Sequence, residues 1–451
     1  MAGAIMTRPL INSISMWAVV VVLTITPFAL GGNRPLVWPI VLMVLAAILC
    51  LNTAALLLTR SKPAASLSGF KVEVLLGISF LAFAVLQIVP LRMFQLFYVP
   101  DLPQSGTISV APGETLLAII AWSNVAIISY LALQFTRNEQ RAIQFLDILF
   151  WVITLHAACG FLLFYEFEDA TVIGPKWAYL GSMTGAFVNR NTFATFLASG
   201  AVLGVVSLVR DLDQGVGYGR LRAVLLKLPA ILLVLAVLNG TGSRMGLFVG
   251  LVGIVLVLLL SSFKGRSGRS IKFRVSMLAL GAIVALPVLI IGFGGLTLER
   301  LGSVDRDADI RTELYQQTWE MISKRSFTGF GGGSYELAFP LIHQQPVSID
   351  LIWQKAHNSY LGLWADYGLI FGSIPWLILL CLLVRLIHVY WTRRTPDYVA
   401  ITSLSIATIA CLHALVDFSL EIQGYSLLFA AIIGTAAGRI ASGAERSKSA
   451  T

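Results

Sequence analysis

Apolar and polar positions are arranged along this chain in long blocks. Runs of roughly 18 or more apolar residues are long enough to cross a hydrocarbon layer as a helix. They recur near Ile14 to Leu30, Leu36 to Leu58, Val72 to Leu91, Thr115 to Gln134 and Phe145 to Tyr165. Seven more follow near Asn191 to Val209, Leu225 to Leu238, Met245 to Ser262, Val275 to Leu296, Tyr360 to Ile387, Tyr398 to Leu415 and Tyr425 to Ala441, and the one at Leu225 is the shortest. The pattern predicts an all-α polytopic integral membrane protein with about 12 transmembrane helices, a single membrane domain over residues 1–451. The first run leads straight into further spans, so a retained span is expected in place of a cleaved signal. No repeat of fixed period relates two halves.

One long polar interval interrupts the blocks, residues 297–358 between the ninth and tenth expected spans. Within it Ile310, Leu314, Tyr315, Trp319 and Ile322 recur near helical spacing, with Asp309 placed to cap the helix and Lys324 and Arg325 in its last turn. This predicts an amphipathic helix lying on something apolar. Gly329 to Ser334 reads Gly-Phe-Gly-Gly-Gly-Ser, which lacks the Lys-Ser/Thr of a phosphate loop and opens no strand-to-helix unit. A tight structural turn is expected there. The interval closes on Gln354-Lys355-Ala356-His357-Asn358-Ser359-Tyr360, just before the next apolar run.

Charge orients the spans. Arginine and lysine favour cytoplasmic loops, and alternate connections carry Arg60, Lys62 and Lys71, then Arg137 and Arg141, then Arg210, Arg220, Arg222 and Lys227. The same side collects Lys264 to Arg274, then Arg385, Arg393 and Arg394, then Arg439, Arg446 and Lys448. That side is the expected cytoplasmic face, with both termini on it, and 297–358 becomes a periplasmic loop. The connections at Pro100 to Glu114 and Glu166 to Gly185 are poor in bases and read as extracytoplasmic. Composition agrees: 57% of residues are hydrophobic and 12% charged, against roughly 25% charged in ordinary soluble chains. The net charge of +9 therefore reads as loop bias, and nucleic acid is not an expected partner. Cys50, Cys159, Cys381 and Cys411 all fall in apolar runs, without disulfide or metal spacing.

Two arginines depart from the charge rule, Arg190 in Val188-Asn189-Arg190-Asn191 and Arg244 after Thr241-Gly242-Ser243, each at the start of a span on the other face. A guanidinium at that position stays charged and gives two parallel hydrogen bonds to a phosphate, and the first amides of each helix point at the same anion; the alternative is an arginine snorkelling to a headgroup. Arg311 lies one helical turn before Tyr315, which aims it along the same surface, although a lone exposed arginine would look the same. His357 is the histidine with a mechanism: at the water boundary before a helix N-terminus its imidazole is kept neutral and able to take a proton near pH 7. Asp366, a few turns into the next span, is costly at that depth unless paired; it is either a counter-ion to one of the arginines, the preferred reading, or part of the site. His413 and Asp417 stand one helical turn apart, a structural pair or a catalytic one.

These residues carry a resemblance. Gly185 to Asn191, Ser243-Arg244 opening a span, Arg311 with Trp319 before Gly329-Phe330-Gly331, Ala356-His357-Asn358 with Asp366-Tyr367-Gly368, and His413 to Asp417 together resemble the bacterial O-antigen ligase and O-antigen polymerase family over the C-terminal two thirds. The resemblance implies a GT-C-like, metal-independent inverting glycosyltransferase of the bacterial inner membrane. Its donor would be a glycan on undecaprenyl pyrophosphate, and its acceptor a hydroxyl of lipid A-core or of a growing polysaccharide. His357, Arg244 and Arg311 would be catalytic, Arg190, Asn191, Asn358, Asp366, His413 and Asp417 would bind substrate, and no metal or other cofactor is called for. Where the family often has glutamate, this chain has Asp366, one methylene shorter. A polymerase of the same family is the near alternative, and a transporter or flippase for the same lipid-linked glycan is the one from another class.

Overall fold

A computed structural model of the chain describes residues 8–90, 106–214, 217–264, 297–347 and 352–448. Its elements are helical: α1 Arg8–Ile25, α2 Val37–Leu58, α3 Lys71–Ile88, α4 Pro112–Phe135, α5 Glu139–Tyr165, α6 Arg190–Gln214, α7 Tyr218–Gly240 and α8 Arg244–Phe263. After the polar interval opens come α9 Thr297–Lys324, the single turn α10 Tyr335–Ala338, α11 Ser359–Thr392, α12 Tyr398–His413 and α13 Gln423–Lys448. Ten helices among the described residues are long and apolar enough to cross a membrane, and α12 is a shorter apolar helix beside them. Eleven of the expected spans thus have their helix. The one expected at Val275 to Leu296 lies outside the described residues.

The bundle is built around α6, which is almost wholly buried. Its small residues permit this. A Cβ at Gly200 would lie 2.4 Å from the Ile153 side chain, and one at Gly204 would lie 2.5 Å from the Phe150 ring, so α5 and α6 meet backbone to side chain as small-residue interfaces in membranes do. Aliphatic residues of the outer helices, such as Leu58, Leu75, Leu155 and Ile370, stay exposed, as expected where lipid is the solvent.

The bases of alternate connections gather at one end of the bundle. Arg439 bonds Asp397 at 2.7 Å and Glu139 at 3.0 Å, Arg393 reaches both of these carboxylates, and Lys264 donates to the carbonyl of Arg393. Arg210 pairs with Asp147 and Asp211, and Lys227 with Asp211. The other end is where α6, α8 and α11 begin, and the described parts of the segment 297–358 pack over it.

That segment departs from expectation in one respect. The helix expected to start at Asp309 begins at Thr297, so Asp309 lies within it and is not its cap: the run before it is polar but free of proline, so nothing in it stops a helix. Leu314, Met321 and Ile322 of α9 share a small core with Phe330, Phe339 and Ala365, whereas Trp319 is exposed. The glycine turn is held against α11 by backbone bonds from Phe330 N to Ala365 O, Gly331 N to Asp366 O and Leu369 N to Ser326 O. To accept them α11 opens at Gly368, whose φ of 72° and ψ of 169° leave the helical range. A Cβ there would stand 2.5 Å from the backbone of Phe327, so only glycine fits. An opened helix is tolerable in a membrane protein when the freed groups are bonded inside the protein. Buried Gln87 from α3 does this, donating to Thr328 O and Asp366 O and accepting from Gly332 N.

Candidate functional site

At the end where α6 begins, Asn189 caps the helix, its Oδ1 accepting from Asn191 N at 2.7 Å and Thr192 N at 3.2 Å. Arg190 is thereby the first residue of α6. Its guanidinium lies 5.6 Å over the Tyr179 ring and 3.5 Å from Ser182 Oγ. The turn between α7 and α8 abuts it: a Cβ on Gly242 would be 3.5 Å from Arg190 Nη1. Ser243 caps α8 by accepting from Gly246 N, which leaves Arg244 in the first turn, exposed and next to the residues that touch Arg190.

Asn191, one residue on, crosses to the last part of the chain. Its Nδ2 donates to Asp417 Oδ1 at 3.3 Å. Asp417 is 1% exposed; Ser419 Oγ donates to its Oδ2 at 2.5 Å, and His413 Nδ1 stands 3.7 Å from the same oxygen. Thr195 of α6 bonds Ser419, and Ser359 of α11 donates to the Asp417 carbonyl. A buried carboxylate needs such partners. The pairing differs from the expected helical one: α12 ends at His413, and Asp417 reaches back to it from the turn that follows.

His357 enters on the other side of this node. Asn358 caps α11, accepting from Tyr360 N and Leu361 N, and its Nδ2 donates to the Leu415 carbonyl. His357 therefore sits just outside the helix at φ 51°, the left-handed region that few residues other than glycine and asparagine adopt. The Tyr315 hydroxyl of α9 holds it there by donating to the His357 carbonyl at 2.9 Å. The imidazole is gripped edge to face by Trp353 at 6.0 Å and Phe418 at 4.9 Å, and its Nδ1 is buried with no hydrogen-bond partner among the described residues. Burial holds its pKa below the ordinary histidine value; Asp417 opposes that shift and Arg311 adds to it. A base kept neutral this way is ready to accept a proton at neutral pH.

Arg311 is exposed on the first described turn of the amphipathic face. Its charge acts on His357, Tyr315 and Tyr179, and Asp417 acts on the same three groups. Tyr315 and Tyr179 are both held above the ordinary phenol value, chiefly by burial. Arg190, Asn191, Arg311, His357, Asn358, His413 and Asp417 are thus brought to one place, and Arg244 stands at its edge.

Asp366 is not among them. Among the described residues no arginine pairs with it; its Oδ2 accepts the Gly333 amide at 2.7 Å, and the cation that acts on it is Lys355. The expectation of an arginine counter-ion is corrected: Gly368 opens α11 and turns Asp366 toward the glycine turn. Lys355 bonds Glu421 at 3.0 Å. Burial penalises its ammonium, but Glu421 and Asp366 outweigh burial and hold its pKa above the ordinary lysine value. Tyr179 and Tyr315 were not singled out by sequence for this place. Tyr315 stood among the apolar positions of its helix, and nothing local distinguished Tyr179.

No curated protein matches the chain. Residues 229–373, from α7 through the polar interval into α11, match a family model described as O-antigen ligase. That stretch, roughly a third of the chain, contains Arg244, Arg311 and His357 and is similar to the O-antigen ligase family.

Proposed function

We propose that this multi-pass protein is a glycosyltransferase that moves a glycan from a polyprenyl diphosphate in the membrane to an acceptor hydroxyl. The observation that carries the reading is the arrangement about Asp417: a histidine held neutral by burial, with Arg190 and Arg311 beside it and Arg244 at the rim, at one end of a membrane bundle. A diphosphate needs cations that stay charged, and arginine supplies them in a forked geometry. The match of residues 229–373 to the O-antigen ligase family model supports a glycan donor and acceptor.

In this reading the arginines hold the diphosphate of undecaprenyl pyrophosphate against the bundle, with the sugar toward His357. His357 takes the acceptor hydroxyl proton as the oxygen attacks the anomeric carbon from the side opposite the diphosphate. The bond from that carbon to the phosphate oxygen breaks, and the departing charge falls on the arginines, whose field is set before the reaction starts. The configuration inverts and no metal takes part. Asn358 fixes the start of α11, Asn191 ties the start of α6 to Asp417, and Asp417 with His413 sets the field around the base. The site end faces the periplasm of the inner membrane, both termini lie in the cytoplasm, and the acceptor is lipid A-core or a growing polysaccharide.

The test is reconstitution. Purified protein in vesicles, given undecaprenyl-pyrophosphoryl glycan and lipid A-core, is expected to yield a new glycosidic product of inverted configuration and free undecaprenyl pyrophosphate. Donor binding without a product from any hydroxyl acceptor would sink the assignment.

A further inference from the structure

The loop from α5 to α6 is turned inside out relative to a loop in water. Glu166 and Glu168 at its start are exposed, but the polar groups that follow face inward: Asp169 accepts from Lys176 Nζ at 2.7 Å and from Gly181 N at 2.8 Å, Lys176 also donates to the Ser182 carbonyl, and the Lys176 side chain is only 3% exposed. Thr171 closes a tight turn on Gly174, bonding its carbonyl through both N and Oγ1. The apolar groups face outward, with Phe167 61%, Ile173 69%, Trp177 55% and Leu180 72% exposed. Loops in water show the reverse.

Something apolar covers this surface, and α5 indicates what. Trp151, Leu155, Leu162 and Tyr165 are all exposed and fall on one face of that helix by their spacing, the face a span turns to lipid. The loop continues this face beyond the helix end and adds Trp177, which stacks on Arg34 at 5.7 Å. An aromatic ring beside a basic residue at the end of a span is what the boundary between acyl chains and headgroups selects. The inner side of the same loop reaches the candidate site, because Tyr179 lies against the Arg190 guanidinium.

We propose that residues 167–180 rest in the acyl–headgroup boundary of the leaflet at the site end, and that this loop is the side entrance by which a lipid-borne diphosphate passes from the bilayer to Arg190. The first half stands on the loop alone. The second rests on the proposed function.

The experiment has two arms. Spin labels are placed by Ile173→Cys and Leu180→Cys in full-length protein whose four native cysteines are alanine, reconstituted in vesicles of phosphatidylethanolamine and phosphatidylglycerol. Collision with lipid-soluble oxygen is expected to exceed collision with a water-soluble nickel chelate at both sites, as at Leu155→Cys in the span and unlike Lys62→Cys. Nickel-dominated collision would place the loop in water and overturn the proposal. Shielding from both reagents would mean a protein covers it, and would overturn it equally. In the second arm Ile173→Glu and Leu180→Glu are expected to raise the KM for membrane-embedded undecaprenyl-pyrophosphoryl glycan at least tenfold with kcat unchanged, and to leave use of a short-chain donor in detergent as it was. An embedded loop with an unchanged KM would make it an anchor and remove the entrance. If unaltered protein transfers nothing, the functional reading has failed, and the spin labels still decide where the loop lies.

Discussion

The two ends of the bundle use arginine in different ways. At the end opposite the candidate site, arginines are locked to carboxylates across helices: Arg439, 2% exposed, lies between Asp397 and Glu139, Arg210 grips Asp147 and Asp211, and Arg385 meets Glu73 at 2.7 Å. At the site end Arg244 and Arg311 are exposed, and among the described residues neither comes within ion-pair distance of a carboxylate. The carboxylate deepest in the site, Asp417, is already engaged by Asn191, Ser419 and His413. The paired arginines direct their field at their partners and hold the helices together. On the proposed function the open ones keep theirs for an anion that arrives from outside.

Three changes test this contrast. The largest effect is expected from His357→Asn, which keeps a residue that tolerates the left-handed backbone but removes the base. Transfer should fall by about a hundredfold to ten-thousandfold, the range general-base groups contribute, while donor binding and thermal unfolding stay close to those of the parent. Transfer at the parental rate would end the assignment of His357. Next comes the opposite end, where Asp397→Asn leaves the Arg439 charge buried and short of a partner. Breaking such a pair from one side costs roughly 3–5 kcal/mol, to be read as a lower unfolding midpoint in detergent, with activity per folded molecule retained. A midpoint unchanged within error would show that the pairing there is not what holds α13 to α12. Smaller still is Arg311→Ala or Arg244→Ala. Losing a charge-assisted contact costs about 1.5–3 kcal/mol, roughly tenfold to a hundredfold in donor affinity, with little change in unfolding. Lysine at either place should restore part of the affinity, because it returns the charge without the fork. If Arg311→Ala unfolds the protein and leaves donor affinity intact, the two ends do not differ in the way described.

Much of the scaffold was legible because the constraint that shapes it is one-dimensional. A run of apolar residues has to cross the layer as a helix whatever its neighbours do, and charge alternation then sorts the connections, as the clustering of Arg210, Lys264, Arg393 and Arg439 at one end bears out. Polar segments lack that constraint, which is why α9 begins twelve residues before the expected Asp309. The site was legible as a set of chemically suitable residues but not as an arrangement. Asn191 and Asp417 are 226 residues apart in sequence, and only packing brings them to one hydrogen bond. Asp366 shows the limit most clearly. Its depth in a span correctly demanded a partner, but the partner is the backbone of a glycine turn and not an arginine, because Gly368 opens the helix at that point.

The finest test of the site end asks whether His357 feels both Asp417 and Arg311 during turnover. Burial keeps its folded pKa below the ordinary value of about 6.5. A group of this kind is neutral in the folded protein while the unfolded chain takes up protons first, so its contribution to stability is complete above that value and is lost as pH falls below it. The catalytic base is likewise available at neutral pH, and kcat/KM should decline only on the acid side, below the ordinary histidine range. Arg311 lowers this pKa and Asp417 raises it. Removing the positive charge with Arg311→Ala should therefore move the acid limb to higher pH, whereas Asp417→Asn, whose amide keeps one acceptor for Ser419, should move it to lower pH. Donor affinity sets the height of the two profiles and the charge at the base sets where they bend, so the two effects separate in a pH series of kcat/KM for the donor. Limbs that stay in place in both variants, while transfer itself continues, would show that the titrating base is not His357.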